Sequence, residues 1–324
     1  MGKIDNIKAP VENELIRFRN EFNDVMKTRV PLLNLITKYV VKNKGKQMRP
    51  LFVFLSARLL GESTDSTYRA ASLIELLHTA TLVHDDVVDE ANMRRNVFTI
   101  NALWKNKVAV LVGDFLLSKG MLLALENKEY QLLEIVSRAT KQMSEGELLQ
   151  IEKARRLDIS EEVYFDIIRQ KTATLIGSAT AAGAASVGAE DKVVDEFWKM
   201  GEYIGTAFQI KDDLLDYSNS GVTGKASGND LKEKKMTLPL IYMLNNLKPA
   251  EKRKIILRIK YRSENVQVRR EIITKVKQSG GIEYSETKMN EYLQKAMKII
   301  EPFEESEIKT ALTELINYSI NRKK

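Results

Sequence analysis

Cysteine is absent from the 324 residues. That excludes a disulfide scaffold, a thiolate metal site, a cysteine nucleophile and thiol-linked lipid anchors. Histidine occurs twice, too few for a His-rich zinc site. Proline occurs 6 times and glycine 16, so chain breakers are scarce and long helices are expected. No Pro/Gly/Ser-rich linker divides the chain and no repeat period emerges, so a single domain over residues 1–324 is expected. Alternating β-branched runs bounded by turn residues are missing too. Residues 1–10 are polar and lack the apolar run of a secretory leader. The least polar stretch, residues 172–189, is rich in Ala, Gly, Ser and Thr, which suits a buried, closely packed helix better than a membrane span. A soluble, cytoplasmic chain without a transmembrane segment is the expectation.

What is present is helical periodicity and charge. Leu15, Phe18, Phe22, Val25 and Met26 recur at spacings of three and four. Leu51, Phe54, Leu55 and Leu59 follow Pro50, which suits a helix start. Further helices are expected near 68–89, 101–126, 130–152, 161–188, 191–217, 237–246, 250–259, 265–279, 282–301 and 304–321. Ser160, ahead of Glu161 and Glu162, has the character of an N-cap with acid in the first turn. The fold class is therefore all-α. Lys and Arg total 51 against 44 Asp and Glu, a net charge of +7. Residues 252–277 are strongly basic and read as the solvated face of a surface helix. They lack the interleaved aromatics and motifs of a nucleic-acid binder, so no nucleic-acid partner is expected.

Aspartate is sparse, 15 residues in all, yet six of them form two copies of one pattern: Asp85-Asp86-Val-Val-Asp89 and Asp212-Asp213-Leu-Leu-Asp216. Both copies close apolar helical runs. Clustered carboxylates repel one another and resist burial, so something must compensate them. Positions four apart share a helix face, about one turn apart, so Asp85 and Asp89 point alike, as do Asp212 and Asp216. Oxygen ligands without His or Cys suit Mg²⁺, which keeps waters and shares itself with substrate phosphates. Two surface capping clusters are the alternative, and the apolar context of both copies argues against it. Cationic side chains accompany the clusters: Arg94 and Arg95, the Gly45-Lys46-Gln47-Met48-Arg49-Pro50 run, Lys171, Lys225 and Lys235. Mg²⁺ with many Lys and Arg points to a polyanionic substrate, most simply a diphosphate. No G-x-x-x-x-G-K-[ST] loop occurs, so the chemistry is not that of a P-loop enzyme.

GKQMRP (45–50), HTATLVHDDVVDEANMRR (78–95), GD (113–114), KT (171–172), FQIKDDLLDY (208–217) and GKASGNDLKEKKMTLPL (224–240) together resemble the trans-polyprenyl diphosphate synthases, over roughly residues 15–320. Departures from the family pattern are Lys44 and Gln47 in the first motif, Asn96 for a Gly after the Arg pair, and Lys234 for a Gly before the late Lys. None removes a metal ligand, and Asn tolerates left-handed backbone.

The resemblance implies a class I isoprenoid synthase fold, a helical bundle around a central apolar cavity, and a homodimer. It implies Mg²⁺, three ions with substrate bound, held by Asp85, Asp89 and Asp212, with Asp86, Asp213 and Asp216 behind them. Arg94, Lys171 and Lys235 would meet the allylic diphosphate, with Lys225 nearby, and Lys46, Arg49, His78 and Arg95 the isopentenyl diphosphate. Thr172 and Gln209 would turn oxygens toward an allylic cation. His84 matches a motif position of no evident role and is taken as structural. Ala80 and Thr81 lie about one turn before Asp85; their small size implies an open tunnel and a long product, about C30–C50 with C35–C40 favoured. The floor is expected among Leu76, Leu77, Leu117 and Met121. Shorter-chain synthesis, one subunit of a two-component synthase, and terpene cyclisation are the competing readings. A cyclase has no need of a second D-D-x-x-D or of the GKQMRP segment.

Overall fold

The computed structural model describes residues 3–43, 47–94, 96–218 and 228–320. In chain order the helices are α1 (Lys3–Lys8), α2 (Glu12–Val25), α3 (Pro31–Lys42), α4 (Met48–Leu60), α5 (Asp65–Val88), α6 (Ile100–Glu126), α7 (Tyr130–Arg156), α8 (Glu161–Ile168), α9 (Thr174–Ala185), α10 (Asp191–Leu215), α11 (Asn229–Lys232), α12 (Leu238–Asn245), α13 (Pro249–Arg262), α14 (Val266–Gln278), α15 (Gly281–Ile300) and α16 (Glu307–Ile320). One antiparallel hairpin, β1 (Met93–Arg94) with β2 (Val97–Phe98), breaks the all-helical pattern; two residues per strand are too few to leave a periodic signal. Its turn has Asn96 at φ +63°, the left-handed backbone this residue type tolerates.

The chain forms two compact units. The first comprises residues 1–140, 175–198 and 303–315. Its centre is α4, buried on every residue from Pro50 to Ala57, as befits a helix apolar all round. Phe18 of α2 meets Phe54 of α4 edge-on at 6.0 Å, and Phe54 meets Tyr68 of α5 at 5.2 Å. Gly183 of α9 lets that helix touch α4; a Cβ there would stand 2.4 Å from the Val53 carbonyl oxygen. The small-residue stretch thus forms the buried, close-packed helix its composition implies. α5 begins with a capping box between Thr64 and Thr67 and packs along α6. Among the described residues α6 alone is long and apolar enough to span a membrane by length and composition, with 33% of its most apolar window buried.

The second unit comprises residues 141–174, 199–302 and 316–324. Its core gathers Tyr164 and Ile168 of α8, Ile210 and Leu214 of α10, Leu240 and Leu244 of α12, Ile255 and Ile259 of α13, and Ile272 of α14. Ser160 caps α8, its side chain accepting from the Val163 N–H. The single helix expected over 161–188 is interrupted by a π-helical turn at Arg169–Ala173. Two glycines flank that turn. A Cβ at Gly146 would come within 2.8 Å of the Lys171 nitrogen, and one at Gly205 within 2.4 Å of the Ala173 Cα. Wide turns of this kind re-aim side chains, and this one carries Lys171 and Thr172.

Candidate active site

The first acidic cluster closes α5. Asp85 and Asp86 stand in its last turn and Asp89 caps it, donating its N–H to the Asp85 carbonyl at 2.8 Å. Carboxylates at a helix C-terminus face the negative end of its dipole, so three together call for a cation. The three are not alike. Asp86 is buried and accepts from Arg94 Nε at 2.8 Å, while Asp89 is exposed and Asp85 half-buried. Burial holds the Asp86 carboxyl above its ordinary range, and Arg94 acts against that. The hairpin that delivers Arg94 is tied down from several sides. Thr99 Oγ1 and Asn101 Nδ2 donate to the Ala91 carbonyl at 2.7 and 3.0 Å, and Tyr39 Oη donates to the Phe98 carbonyl at 2.7 Å.

His84 lies against α6, its Nε2 3.3 Å from the Val110 carbonyl and 3.5 Å from Asp114 Oδ1. Gly113 makes room for it, since a Cβ there would stand 2.1 Å from that nitrogen. This gives the Gly113-Asp114 pair a physical role: it seats the ring next to Asp85. His78 lies half-buried two turns earlier on α5, and its carbonyl accepts from Thr81 Oγ1 at 2.9 Å. Arg49 sits half-buried in the first turn of α4. Lys46 and Arg95 lie outside the described residues. Ala80, Leu76 and Leu77 are buried, Leu117 is half-buried and Met121 is 48% exposed on the single chain.

The second cluster closes α10 and repeats the pattern. Asp212 is exposed, whereas Asp213 is completely buried. Three side chains donate to Asp213: Tyr164 Oη at 2.8 Å, Gln209 Nε2 at 2.9 Å and Lys235 Nζ at 2.8 Å. Gln209 in turn accepts from Thr172 Oγ1 at 3.0 Å, so the two residues expected to act together are hydrogen-bonded. Asp216 accepts the N–H groups of Asn229 and Asp230 at 3.0 and 3.2 Å and so fixes the start of α11. Asp230 brings a further carboxylate, 3.6 Å from Lys235 Nζ. Burial, with Asp213 and Asp216 adding to it and Lys235 opposing, pushes its carboxyl up to about 7. Burial pulls the Lys235 ammonium down, but Asp213 and Asp230 outweigh it and hold that group above its usual value. Lys171 pairs with Glu147 at 2.5 Å. Lys225 lies outside the described residues.

Sequence reasoning missed Tyr164, Glu147 and Asp230. Asp230 lies within the motif over 224–240. Tyr164 and Glu147 carry no linear signal, because their roles come from the π-helical turn and from packing. It also assigned Arg94, Lys171 and Lys235 to a diphosphate; each has a carboxylate partner here, Asp86, Glu147 and Asp213 in turn.

Among the described residues no three His, Asp or Glu side chains converge closely enough to cage an ion unaided. The donor set nevertheless fits a hard divalent cation. Exposed carboxylates such as Asp89 and Asp212, with Asp85 one turn from Asp89, are the ligands Mg²⁺ takes when water and substrate phosphate supply the rest.

A polyprenyl synthetase family model matches residues 30–276. An all-trans-nonaprenyl-diphosphate synthase (geranyl-diphosphate specific) from Rhodobacter capsulatus is 37% identical, covering 98% of this chain and 97% of its own. The crystal structure of a polyprenyl synthase from Caulobacter crescentus, complexed with calcium and isoprenyl diphosphate, superposes with a TM-score of 0.88 at 32% identity, covering 99% of this chain and 98% of the other. A geranylgeranyl pyrophosphate synthase structure from Bacteroides thetaiotaomicron gives a TM-score of 0.81 at 38% identity and full coverage of both chains.

Proposed function

The chain belongs to the polyprenyl synthetase family, a family of divalent-metal-dependent prenyltransferases, and from that premise we propose that it lengthens an allylic diphosphate with isopentenyl diphosphate. The condensation is head-to-tail (1′–4) and the products are long-chain all-trans polyprenyl diphosphates of about C30–C50, from a tunnel left open one turn below Asp85. The carrying observation is the shared build of the two acidic clusters: in each the second aspartate is buried and bound to a cation, while an outer carboxylate opens to solvent.

Asp85, Asp89 and Asp212 would hold Mg²⁺, three ions when substrate is present. The bound metal supplies Lewis-acid charge for the departing diphosphate. Asp86, Asp213 and Asp216 orient the elements that carry those ligands. Arg94, Lys171, Lys225 and Lys235 add positive charge on the allylic side, and Lys46, Arg49, His78 and Arg95 on the isopentenyl side. As the allylic C–O bond breaks, its electron pair leaves with the diphosphate. Thr172 and Gln209 present oxygens to the cation that remains. The isopentenyl double bond then forms the new C–C bond, and the departed diphosphate takes the proton. Apolar helix surfaces keep water from the cation.

Residues 1–324 act as one synthase domain, cytoplasmic and homodimeric. Support for the dimer is the apolar face that α6 exposes: Val110, Leu111, Met121, Leu122 and Leu125 are each 40–59% exposed on the single chain.

Mass spectrometry of the product made by the purified chain from farnesyl diphosphate, isopentenyl diphosphate and Mg²⁺ tests the reading. A ladder ending in the long-chain range supports it. A C20 end point marks a geranylgeranyl synthase, hydrocarbon from allylic substrate alone a cyclase, and inactivity a missing second subunit. Ala80→Phe, a large ring at a fully buried position, should shorten the product; an unchanged ladder contradicts the tunnel assignment.

A further inference from the structure

Charge is unevenly spread along this chain. Residues 252–277 hold ten Lys and Arg against two Glu, a net +8, which exceeds the +7 of the whole chain. Most of that charge lies on α13 and α14. α13 is anchored through one face, where Ile255 and Ile259 are buried in the core of the second unit. Its opposite face carries two large side chains four residues apart, Leu257 at 46% and Tyr261 at 72% exposure. Around them stand Arg253, Lys254, Arg258 and Arg262, and the six together line a shallow open concavity. Arg258 is paired with Glu271, whereas Arg253, Lys254 and Arg262 form no ion pair among the described residues.

We propose that this face of α13 docks on an anionic lipid bilayer. A helix that lies in the interface buries a few apolar side chains at headgroup depth and sets Lys and Arg among the lipid phosphates. Leu257 and Tyr261 supply the first element, and tyrosine is enriched at that depth. Three unneutralised cations on the same helix supply the second. A nucleic acid offers the same charge but nothing for Leu257, and a single exposed tyrosine is no stacking platform. The proposed reaction gives the surface a use, since each added CH₂ favours transfer to a bilayer by about 0.8 kcal/mol and a long product would be released there. Only this last point rests on the functional reading above.

The test needs no substrate, so its outcome is separable from that of the enzymatic reading. The full chain is sedimented with vesicles of phosphatidylcholine alone and with vesicles in which part of that lipid is replaced by phosphatidylglycerol. Binding is expected only to the anionic vesicles and should be lost as salt rises toward about 1 M, where screening is nearly complete. Replacing Arg253, Lys254 and Arg262 by Gln together should weaken partition by roughly 100-fold, about fivefold per cation. L257S/Y261S, which keeps the charge, should weaken it by roughly tenfold. Circular dichroism of both variants confirms that they fold, as surface substitutions should. Equal binding to neutral vesicles, no binding at all, a triple variant that sediments like the wild type, or tighter retention on a DNA duplex than on anionic vesicles would overturn the proposal.

Discussion

The two D-D-x-x-D motifs share one five-residue pattern in different surroundings. Asp86 is held by Arg94, whose side chain is 41% exposed, from a hairpin outside the helix. Asp213 has no exposed surface and is saturated by Tyr164, Gln209 and Lys235. The motif sets the spacing of the outer carboxylates, and the surroundings set how stiffly they are held. A charge pair open to water is worth little, whereas a buried one is costly to break.

The first way to break this comparison is to remove each inner aspartate. Asp213→Ala leaves Lys235 only the more distant Asp230 carboxylate, at 3.6 Å, and leaves Tyr164 and Gln209 without their acceptor, and should cost about 3 kcal/mol of folding stability. Asp86→Ala should cost about 1 kcal/mol, because Arg94 can turn to solvent. Urea denaturation of the two variants gives both numbers; equal losses would mean that the surroundings do not distinguish the clusters.

A smaller effect sharpens the comparison through pH. Asp230 is raised from 3.8 to about 7 in the fold. Between those values the folded chain keeps a proton that the unfolded chain has lost, so stability falls as pH rises from about 4 to about 7. Thermal melting of the metal-free chain should show that decline, and Asp230→Asn should flatten it. A slope unchanged in the variant would place the titration elsewhere.

Much of this was legible in the sequence. The all-α class, most helices and the Ser160 cap follow from periodicity and local chemistry, and the left-handed Asn96 from the family pattern, which has a Gly at that position. The π-helical turn was not legible, because residues 161–188 read as one apolar helix. The glycines that flank the turn, Gly146 and Gly205, sit on other helices. The two acidic clusters could be read because i, i+4 spacing is local. Which aspartate of each pair is the inner one came only from the family resemblance, since Asp85-Asp86 and Asp212-Asp213 are identical in one dimension. Their partners Arg94, Tyr164 and Lys235 reach them only through the hairpin, the core of the second unit and the segment before α12.

The proposed reaction requires that both clusters act on the same allylic diphosphate. Isothermal titration of a non-reacting allylic thiolodiphosphate in Mg²⁺, with wild type, Asp85→Ala, Asp212→Ala and the double variant, addresses it directly. The account predicts that each single substitution weakens binding by on the order of 10²-fold or more, and that the double variant is little worse than either single one. Additive losses, or one substitution without effect, would contradict it.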